Sequence, residues 1–260
     1  MINITIMGGL GNQLFQWACA RNLQEKYGHS INYDLNFYNG QDKRRPQLNE
    51  FKYLVFNNIE ANYTLGQATI GDSFKYSDFI RYDLSQTQRR YNLQGYWQSE
   101  KYFEENEQVI RNNLEIDPRI DYHIKDNYPF IGNEKTASIH IRRTDYVSSN
   151  GYHPVQPVSY YEQALEQIDY DKLVVFSDDV HWCRGNLKFD NMVFADNNTD
   201  LEDLYLMSAC DDNVIANSSF SWWAAWLNKN PNKKIIAPEK WFGPQGPSYD
   251  DIVPEGWIKI

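Results

Sequence analysis

The 260-residue sequence has few cysteines, no long apolar run and no excess of positive charge. Its three cysteines, Cys19, Cys183 and Cys210, are odd in number and far apart, which favours buried reduced thiols in a cytoplasmic protein. No apolar run is long enough to cross a bilayer, and the first residues, MINITIMGG, lack the basic and apolar regions of a signal peptide. A formal net charge of -10 argues against nucleic-acid binding, which needs a basic surface.

The second half of the chain alternates short apolar strands with helices, which is typical of a parallel α/β sheet. A capping box at Ser159–Glu162 and another at Thr199–Glu202 predict the starts of two helices. The first half opens as strand, glycine-rich turn, helix and strand, but residues 40–92 show no strong periodicity. Residues 117–135 contain two prolines and are interpreted as a linker. We therefore expect two α/β domains, residues 1–130 and residues 131–260.

Polar residues follow the predicted strands of the second half at the points where each strand ends. Because the carboxyl ends of parallel strands meet at one edge of a sheet, these residues should converge where open α/β sheets bind ligands. Arginine offers a planar fork for phosphate oxygens, and a serine-capped helix start attracts anions. An ion pair with Asp145 that closes a loop is the alternative for the arginines. The three groups are His140, Arg142 and Arg143; Ser177, Asp178 and Asp179; and Asn217, Ser218 and Ser219.

Asp178 and Asp179 allow several roles: a metal site, a contact to a ribose or base, or a helix cap. The Asp-x-Asp pattern at residues 169–171 precedes a strand and so lies at the wrong edge of the sheet, which argues against a metal-dependent reaction. No H-E-x-x-H motif or cysteine cluster predicts zinc. The loop GGLGNQLF fails the dinucleotide pattern G-x-G-x-x-G because Leu14 takes the last glycine's place. It is either a tight turn or a close backbone approach to a ligand.

Five segments, GGLGNQLFQ, GYWQSEKYF, HIRRTDY, FSDD and NSSFSWWAAWL, together resemble the α-1,2-fucosyltransferase family and span residues 8–227. The resemblance implies a GT-B-like fold of two Rossmann-like domains with parallel sheets and an interdomain cleft. It also implies an inverting galactoside α-1,2-fucosyltransferase that carries L-fucose from GDP-β-L-fucose to the 2-hydroxyl of a terminal galactose. The expected partners are that donor and a galactose-containing oligosaccharide, with no metal, cofactor, nucleic acid or integral membrane segment. The expected location is the cytoplasm, at the periphery of a membrane where the glycan acceptor is membrane-bound.

The same resemblance implies roles for individual residues. Arg142 should hold the diphosphate, supported by Arg143 and His140, and Asp178 or Asp179 should touch the nucleoside. Asp145 is either the general base or an ion-pair partner of the arginines, and the ion-pair role is preferred. The donor-binding turn comprises Asn217, Ser218, Ser219 and Phe220, and the N-terminal loop facing donor and acceptor comprises Gly9, Gly11, Asn12 and Gln13, with Asn12 as a catalytic candidate.

Two other functions stay open from the residues. One is a catalytically silent protein on the same fold that binds a nucleotide sugar or a glycan, because a fold does not determine a function. The other is protein O-fucosylation, which usually belongs to secretory compartments rich in disulfides. The intact HIRRTDY segment argues against the first, and the cysteine pattern argues against the second.

Overall fold

A computed structural model describes residues 1–40, 44–54, 56 and 68–260. The chain divides into two compact units. The N-terminal unit comprises residues 1–115 and the returning segment 248–254. The C-terminal unit comprises residues 116–247 and 255–260. Within the described residues, no helix is long and apolar enough to cross a membrane.

The N-terminal unit contains a four-stranded parallel sheet with the strand order β2-β1-β4-β3. Helix α1 is the long helix of this unit, and Gly28 ends it in the left-handed conformation (φ 73°), with its N–H donating to the Gln24 carbonyl. A glycine in this conformation is a common way for a helix to end. The strands are β1 (Ile2–Thr5), β2 (Ile31–Asp34), β3 (Ala68–Gly71) and β4 (Tyr91–Gln94), and the helices are α1 (Leu10–Tyr27), α2 (Tyr76–Phe79) and α3 (Glu107–Asn113).

The C-terminal unit contains a six-stranded parallel sheet. Its strands are β5 (Thr136–Ile141), β6 (Lys172–Ser177), β7 (Met192–Phe194), β8 (Asp212–Val214), β9 (Ile235–Ala237) and β10 (Ile258–Lys259). Its helices are α4 (Pro118–Asn127), α5 (Thr144–Ser148), α6 (Val158–Leu165), α7 (Val180–Asn186), α8 (Asp200–Ala209) and α9 (Ser219–Leu227). The strand order is β10-β9-β8-β5-β6-β7, so the chain reverses direction across the sheet between β5 and β8. Open α/β sheets bind ligands at such a reversal point.

The apolar residues of β5 pack the sheet of the C-terminal unit against its helices. Ile139 and Ile141 are buried in one cluster with Val175 and with Tyr161 of α6. The tryptophans of α9 are buried too, and Trp222 stacks parallel to Trp226 with ring centroids 6.3 Å apart. Since both faces of these strands are covered, the positions available to a ligand are the loops at the strand ends.

Two local predictions were wrong. The predicted linker contains helix α4, which begins where Asp117 accepts a hydrogen bond from the Arg119 N–H and Pro118 occupies the first helical position. Because α4 packs on α8, the chain divides at residues 115–116 rather than near residue 130. The Ser159–Glu162 capping box does not form, because α6 already begins at Val158. The capping box at Thr199–Glu202 does form.

Candidate active site

At the reversal point of the C-terminal sheet, the loop after β5 lies beside the loop after β8. The two strands are neighbours, with Ile139 opposite Val214. Beyond their ends, the Tyr146 hydroxyl donates to the Asn217 carbonyl oxygen over 2.9 Å. The rings of His140 and Phe220 lie 5.9 Å apart. The structure therefore brings the segments HIRRTDY and NSSFSWW to one place, as the convergence of strand ends predicted.

Arg142 lies between two carboxylates at this place. Its Nη2 is 2.7 Å from Oδ1 of Asp145, and its Nη1 is 3.1 Å from Oδ2 of Asp178. The guanidinium also lies 5.6 Å from the centroid of the Tyr146 ring. Burial works against the charge of Arg142, but the hydrogen bond to Asp145 and the charge of Asp178 raise its pKa above the ordinary value. The side chain is 21% exposed, so a fixed and permanently charged guanidinium can be reached by a ligand.

Asp178 and Asp179 have different partners. Oδ1 of Asp178 accepts from the Arg143 N–H over 2.9 Å, and its Oδ2 accepts from the Thr144 N–H over 3.2 Å. Asp178 therefore fixes the turn that leads from β5 into α5. Asp179 is the cap of helix α7, since it accepts from the Trp182 N–H. A helix cap was one of the roles open to Asp178, but the cap of α7 is its neighbour Asp179.

Arg143 is held on the other side of the same turn. Its guanidinium lies 3.7 Å from the centroid of the Trp182 ring, and its Nε is 3.4 Å from Oδ2 of Asp179. This geometry combines a cation–π contact with an ion pair. Arg143 therefore stands beside Arg142 with its orientation set by α7.

His140 is buried and neutral. Burial is the main cause, and the charge of Arg142 the second, of a pKa that is lowered to about 4. Its Nδ1 has no hydrogen-bond partner in the described part of the chain. Its carbonyl oxygen accepts from the Tyr161 hydroxyl over 3.1 Å. At neutral pH the imidazole can offer a ligand a hydrogen bond but not a positive charge.

The start of helix α9 is built by Asn217 and Ser218. Ser218 is the cap residue, and its hydroxyl accepts from the Phe220 N–H over 3.4 Å. The side-chain amide of Asn217 donates to the carbonyl oxygens of Pro154 and Trp241 over 3.1 and 2.9 Å. Asn217 thus holds the turn in shape, while Ser219 and Phe220 are half-buried and reachable. The N–H groups and dipole of such a helix start favour an anion.

The glycine-rich loop belongs to the N-terminal unit. Gly8 has a φ of 80°, and Gly9 is the residue at the start of α1, so the tight-turn interpretation is confirmed. Asn12 accepts a hydrogen bond from the Gln98 side chain over 2.7 Å. Gln13 uses its amide to hold the backbone at Arg45 and Gln47. Gly11 is buried in the first turn of α1. Donor or acceptor contacts by these residues stay predictions.

Metal ligands do not gather in the part of the chain that the structure describes: no group of three or more His, Cys, Asp or Glu side chains could hold an ion. Asp169 and Asp171 lie before β6, at the edge opposite Arg142, and Asp171 accepts from the Lys135 N–H. The metal-independence of the reaction stays a prediction.

Comparison with known proteins decides the family. The profile of glycosyl transferase family 11 matches residues 48–260. The chain belongs to glycosyl transferase family 11. The resemblance to α-1,2-fucosyltransferases that the five segments indicated is thereby confirmed.

Two bacterial relatives match this family 11 chain almost from end to end. One is the O-antigen biosynthesis glycosyltransferase WbnK of Escherichia coli, 29% identical, with 98% of this chain and 99% of that one covered. The other is an α-1,2-colitosyltransferase of Escherichia coli, 30% identical, with 98% and 97% covered. The glycine-rich loop, which precedes the family match, is thus within the aligned length of both relatives.

A solved structure supports the fold of the family 11 chain. The fucosyltransferase NodZ from Bradyrhizobium has a TM-score of 0.53 and 14% sequence identity, with 87% of this chain and 93% of that one covered. Together with the two parallel sheets, this confirms the predicted GT-B-like α/β class.

Three residues of the site were not predicted from the sequence. Tyr146 and Trp182 lie beside the two arginines, and His153 stacks on Tyr146 with ring centroids 4.6 Å apart. Tyr146 lies within the HIRRTDY segment, so its position was a usable signal. Trp182 and His153 are contributed by α7 and by the loop before α6, and no spacing rule connects them to Arg142.

Proposed function

We propose that this glycosyltransferase transfers L-fucose from GDP-β-L-fucose to the 2-hydroxyl of a terminal galactose, with inversion at the anomeric carbon. The observation that carries the proposal is that Tyr146 contacts both the Arg142 guanidinium and the turn before the serine-capped start of α9, at the reversal point of the sheet. A fixed guanidinium and a helix start are both suited to a diphosphate. Relatives named as an α-1,2-colitosyltransferase and a galactoside 2-α-L-fucosyltransferase favour an α-1,2 linkage.

The proposed reaction is a single displacement. The 2-hydroxyl oxygen of the acceptor bonds to C1 of fucose as the bond from C1 to the β-phosphate oxygen breaks, and GDP leaves with the electron pair. The hydroxyl proton passes to solvent or to a carboxylate. Negative charge grows on the β-phosphate during this step, and preorganised donors stabilise such charge strongly. Arg142 and the N–H groups at the start of α9 would supply those donors.

The donor sugar has a second candidate. The relative named as an α-1,2-colitosyltransferase is 30% identical to this chain over nearly its whole length. A colitosyl donor is therefore the alternative to GDP-fucose on the same site, with the same linkage.

A donor-by-acceptor assay tests the proposal. The enzyme is incubated with GDP-fucose or with the GDP derivative of colitose, each with and without galactose-terminated oligosaccharides, and the product linkage is determined by NMR. The proposal expects GDP-fucose to be consumed faster when acceptor is present and the new bond to be α-1,2 to galactose. Faster turnover of the colitosyl donor would select the alternative. Binding of GDP-fucose without any hydrolysis or transfer would instead identify a silent binding protein.

A further inference from the structure

The N-terminal unit contains a cavity of about 460 Å³ beside the ends of β3 and β4. This volume lies within the usual range for small-molecule sites. Both aromatic and polar side chains line it. It lies at the carboxyl edge of a parallel sheet, where ligand sites form. Among the lining residues are Asp78, Phe79, Arg81, Tyr82, Trp97 and Tyr102.

The base of this cavity is a rigid aromatic cluster. The ring of Phe79 lies 5.3 Å from that of Trp97 and 5.1 Å from that of Tyr102. All three side chains are nearly fully buried. The indole Nε1 of Trp97 has no hydrogen-bond partner in the described part of the chain. Buried indole N–H groups normally have one, and Trp97 is among the residues that line the cavity.

The loops that form the cavity are held by one carboxylate. Asp72 accepts from the Phe74 N–H over 2.8 Å after β3, and from the Tyr96 and Trp97 N–H groups over 3.1 and 2.8 Å after β4. Phe74 and Trp97 both have positive φ, at 59° and 54°. Positive φ is unfavourable for bulky residues and is found mostly where surrounding structure enforces it. Asp72 thus keeps the cavity in shape without itself contributing to its lining.

The rim offers the chemistry that a sugar ring needs. Tyr82 is 49% exposed, so it is the aromatic ring that a ligand can cover. Arg81 and Asp78 form an exposed ion pair at 3.5 Å, which gives donors and acceptors but no net charge. A sugar ring has an apolar face of C–H groups and an edge of hydroxyls. An aromatic face beside a neutral polar rim therefore matches a neutral sugar better than a phosphate or a carboxylate.

We propose that this cavity binds a neutral sugar residue of the acceptor glycan, with the ring stacked on Tyr82 and hydroxyls directed to Arg81 and Asp78. The proposal rests on the proposed function in one respect, which is that the glycan bound here is the acceptor. It adds that acceptor recognition uses a site in the N-terminal unit formed by the loops after β3 and β4.

The test measures glycan binding separately from activity. Saturation-transfer NMR on the full chain with GDP present gives the affinity for neutral galactose-terminated di- and trisaccharides. Tyr82→Ala removes the exposed ring, and Tyr82→Phe keeps it. Tyr122→Ala is the matched control, since Tyr122 is 70% exposed and lies on α4 of the other unit. Kinetic assays on the same proteins give the KM for acceptor and the rate of GDP-fucose hydrolysis without acceptor.

Tyr82→Ala should weaken glycan binding and raise the acceptor KM about 3- to 10-fold, the size of one aromatic contact. Tyr82→Phe and Tyr122→Ala should stay near wild type, and donor hydrolysis should be unchanged in all three. Wild-type glycan affinity in Tyr82→Ala, or a wild-type protein that binds none of the glycans, would overturn the proposal. If binding depends on Tyr82 but no fucose is transferred, the cavity is a sugar site and the proposed function is the part that fails.

Discussion

At the scale of single residues, the carboxylates around Arg142 decide what chemistry the site can do. Asp145 is 2.7 Å from the Arg142 guanidinium and 52% exposed. A carboxylate beside a fixed cation is a weak base, because the cation stabilises its charged form. The geometry therefore agrees with the ion-pair role that was preferred for Asp145 over the role of general base.

Asp145→Asn separates these roles. We expect GDP affinity, GDP-fucose hydrolysis and transfer to fall together, because Arg142 loses one of its two anchors. GDP affinity is measured by calorimetry, and both reactions are followed by release of GDP. Unchanged GDP affinity with a collapse of transfer alone would make Asp145 the base.

The buried imidazole of His140 should make the stability of the protein depend on pH. Its pKa in the folded protein is about 4, against an ordinary value of 6.5. Between those values the unfolded chain binds the proton and the folded protein does not. The contribution of His140 to the free energy of unfolding is therefore fully present above pH 6.5 and is lost as the pH falls toward 4. The contribution of this one group is roughly 3 kcal/mol at most. We expect His140→Gln to lose less stability than wild type between pH 6.5 and pH 4.

Chemical denaturation at several pH values measures that difference. Comparing the two proteins cancels other titrating groups such as Asp203, whose pKa is raised to about 7 mainly by burial and which acts in the opposite direction. Parallel stability curves for wild type and His140→Gln would show that the buried imidazole does not titrate as described.

At the scale of secondary-structure elements, helix α5 connects the two loops of the site. It carries Tyr146, whose hydroxyl bonds to the Asn217 carbonyl and whose ring lies under Arg142. One side chain therefore couples the arginine to the start of α9. The coupling depends on a hydroxyl that is fully buried, so its removal leaves a buried carbonyl oxygen with one partner fewer.

Tyr146→Phe tests that coupling. Loss of a buried hydrogen bond should lower the free energy of unfolding by about 1 kcal/mol. It should also weaken GDP binding a few-fold, while the ring stays beneath Arg142. Denaturation and GDP titration measure the two effects, with the exposed Tyr122→Phe as control. A variant with wild-type stability and GDP affinity would show that the contact couples nothing.

Elements were predictable where one local pattern determined them. Strand β5 and the capping box at Thr199 depend on neighbours in sequence, and both were predicted. Helix α4 was missed although Asp117-Pro118 is a good helix start. Its two prolines led to the linker interpretation, but Pro118 occupies the first helical position and the helix packs on α8.

The partners of the site were less predictable than its location. Strand ends predicted that Arg142 and Ser218 converge, because parallel strands place their carboxyl ends at one edge. They could not predict that Asp178 holds the turn at Arg143 while Asp179 caps α7. Adjacent residues face different ways once the turn is formed, and tertiary packing decides which partner each one meets.

At the scale of the whole molecule, the strand order of the C-terminal sheet determines where the site around Arg142 lies. Hydrophobic patterns predicted parallel strands, but the reversal between β5 and β8 is a property of the complete sheet. The family match comes from the sequence and the two parallel sheets come from the structure. Both agree with a glycosyltransferase of α/β fold.

Metal dependence is a prediction at this scale. Asp178 and Asp179 already accept hydrogen bonds from backbone N–H groups and face arginines. We therefore expect transfer to persist in EDTA at the wild-type rate. Inactivation by EDTA with rescue by Mn²⁺ or Mg²⁺ would identify these carboxylates as metal ligands.

The central claim is that Arg142 holds the diphosphate of the donor, and calorimetric titration of GDP and GMP tests it most directly. The two nucleotides differ by the β-phosphate alone, so their affinity ratio isolates that group. The account predicts a clear preference for GDP in the wild type, roughly 10- to 100-fold for a charge-assisted contact. Arg142→Ala and Arg142→Lys should reduce this preference to a few-fold and abolish nearly all transfer, since lysine cannot replace the planar fork. A GDP preference that survives in Arg142→Lys, with transfer near the wild-type rate, would contradict the account.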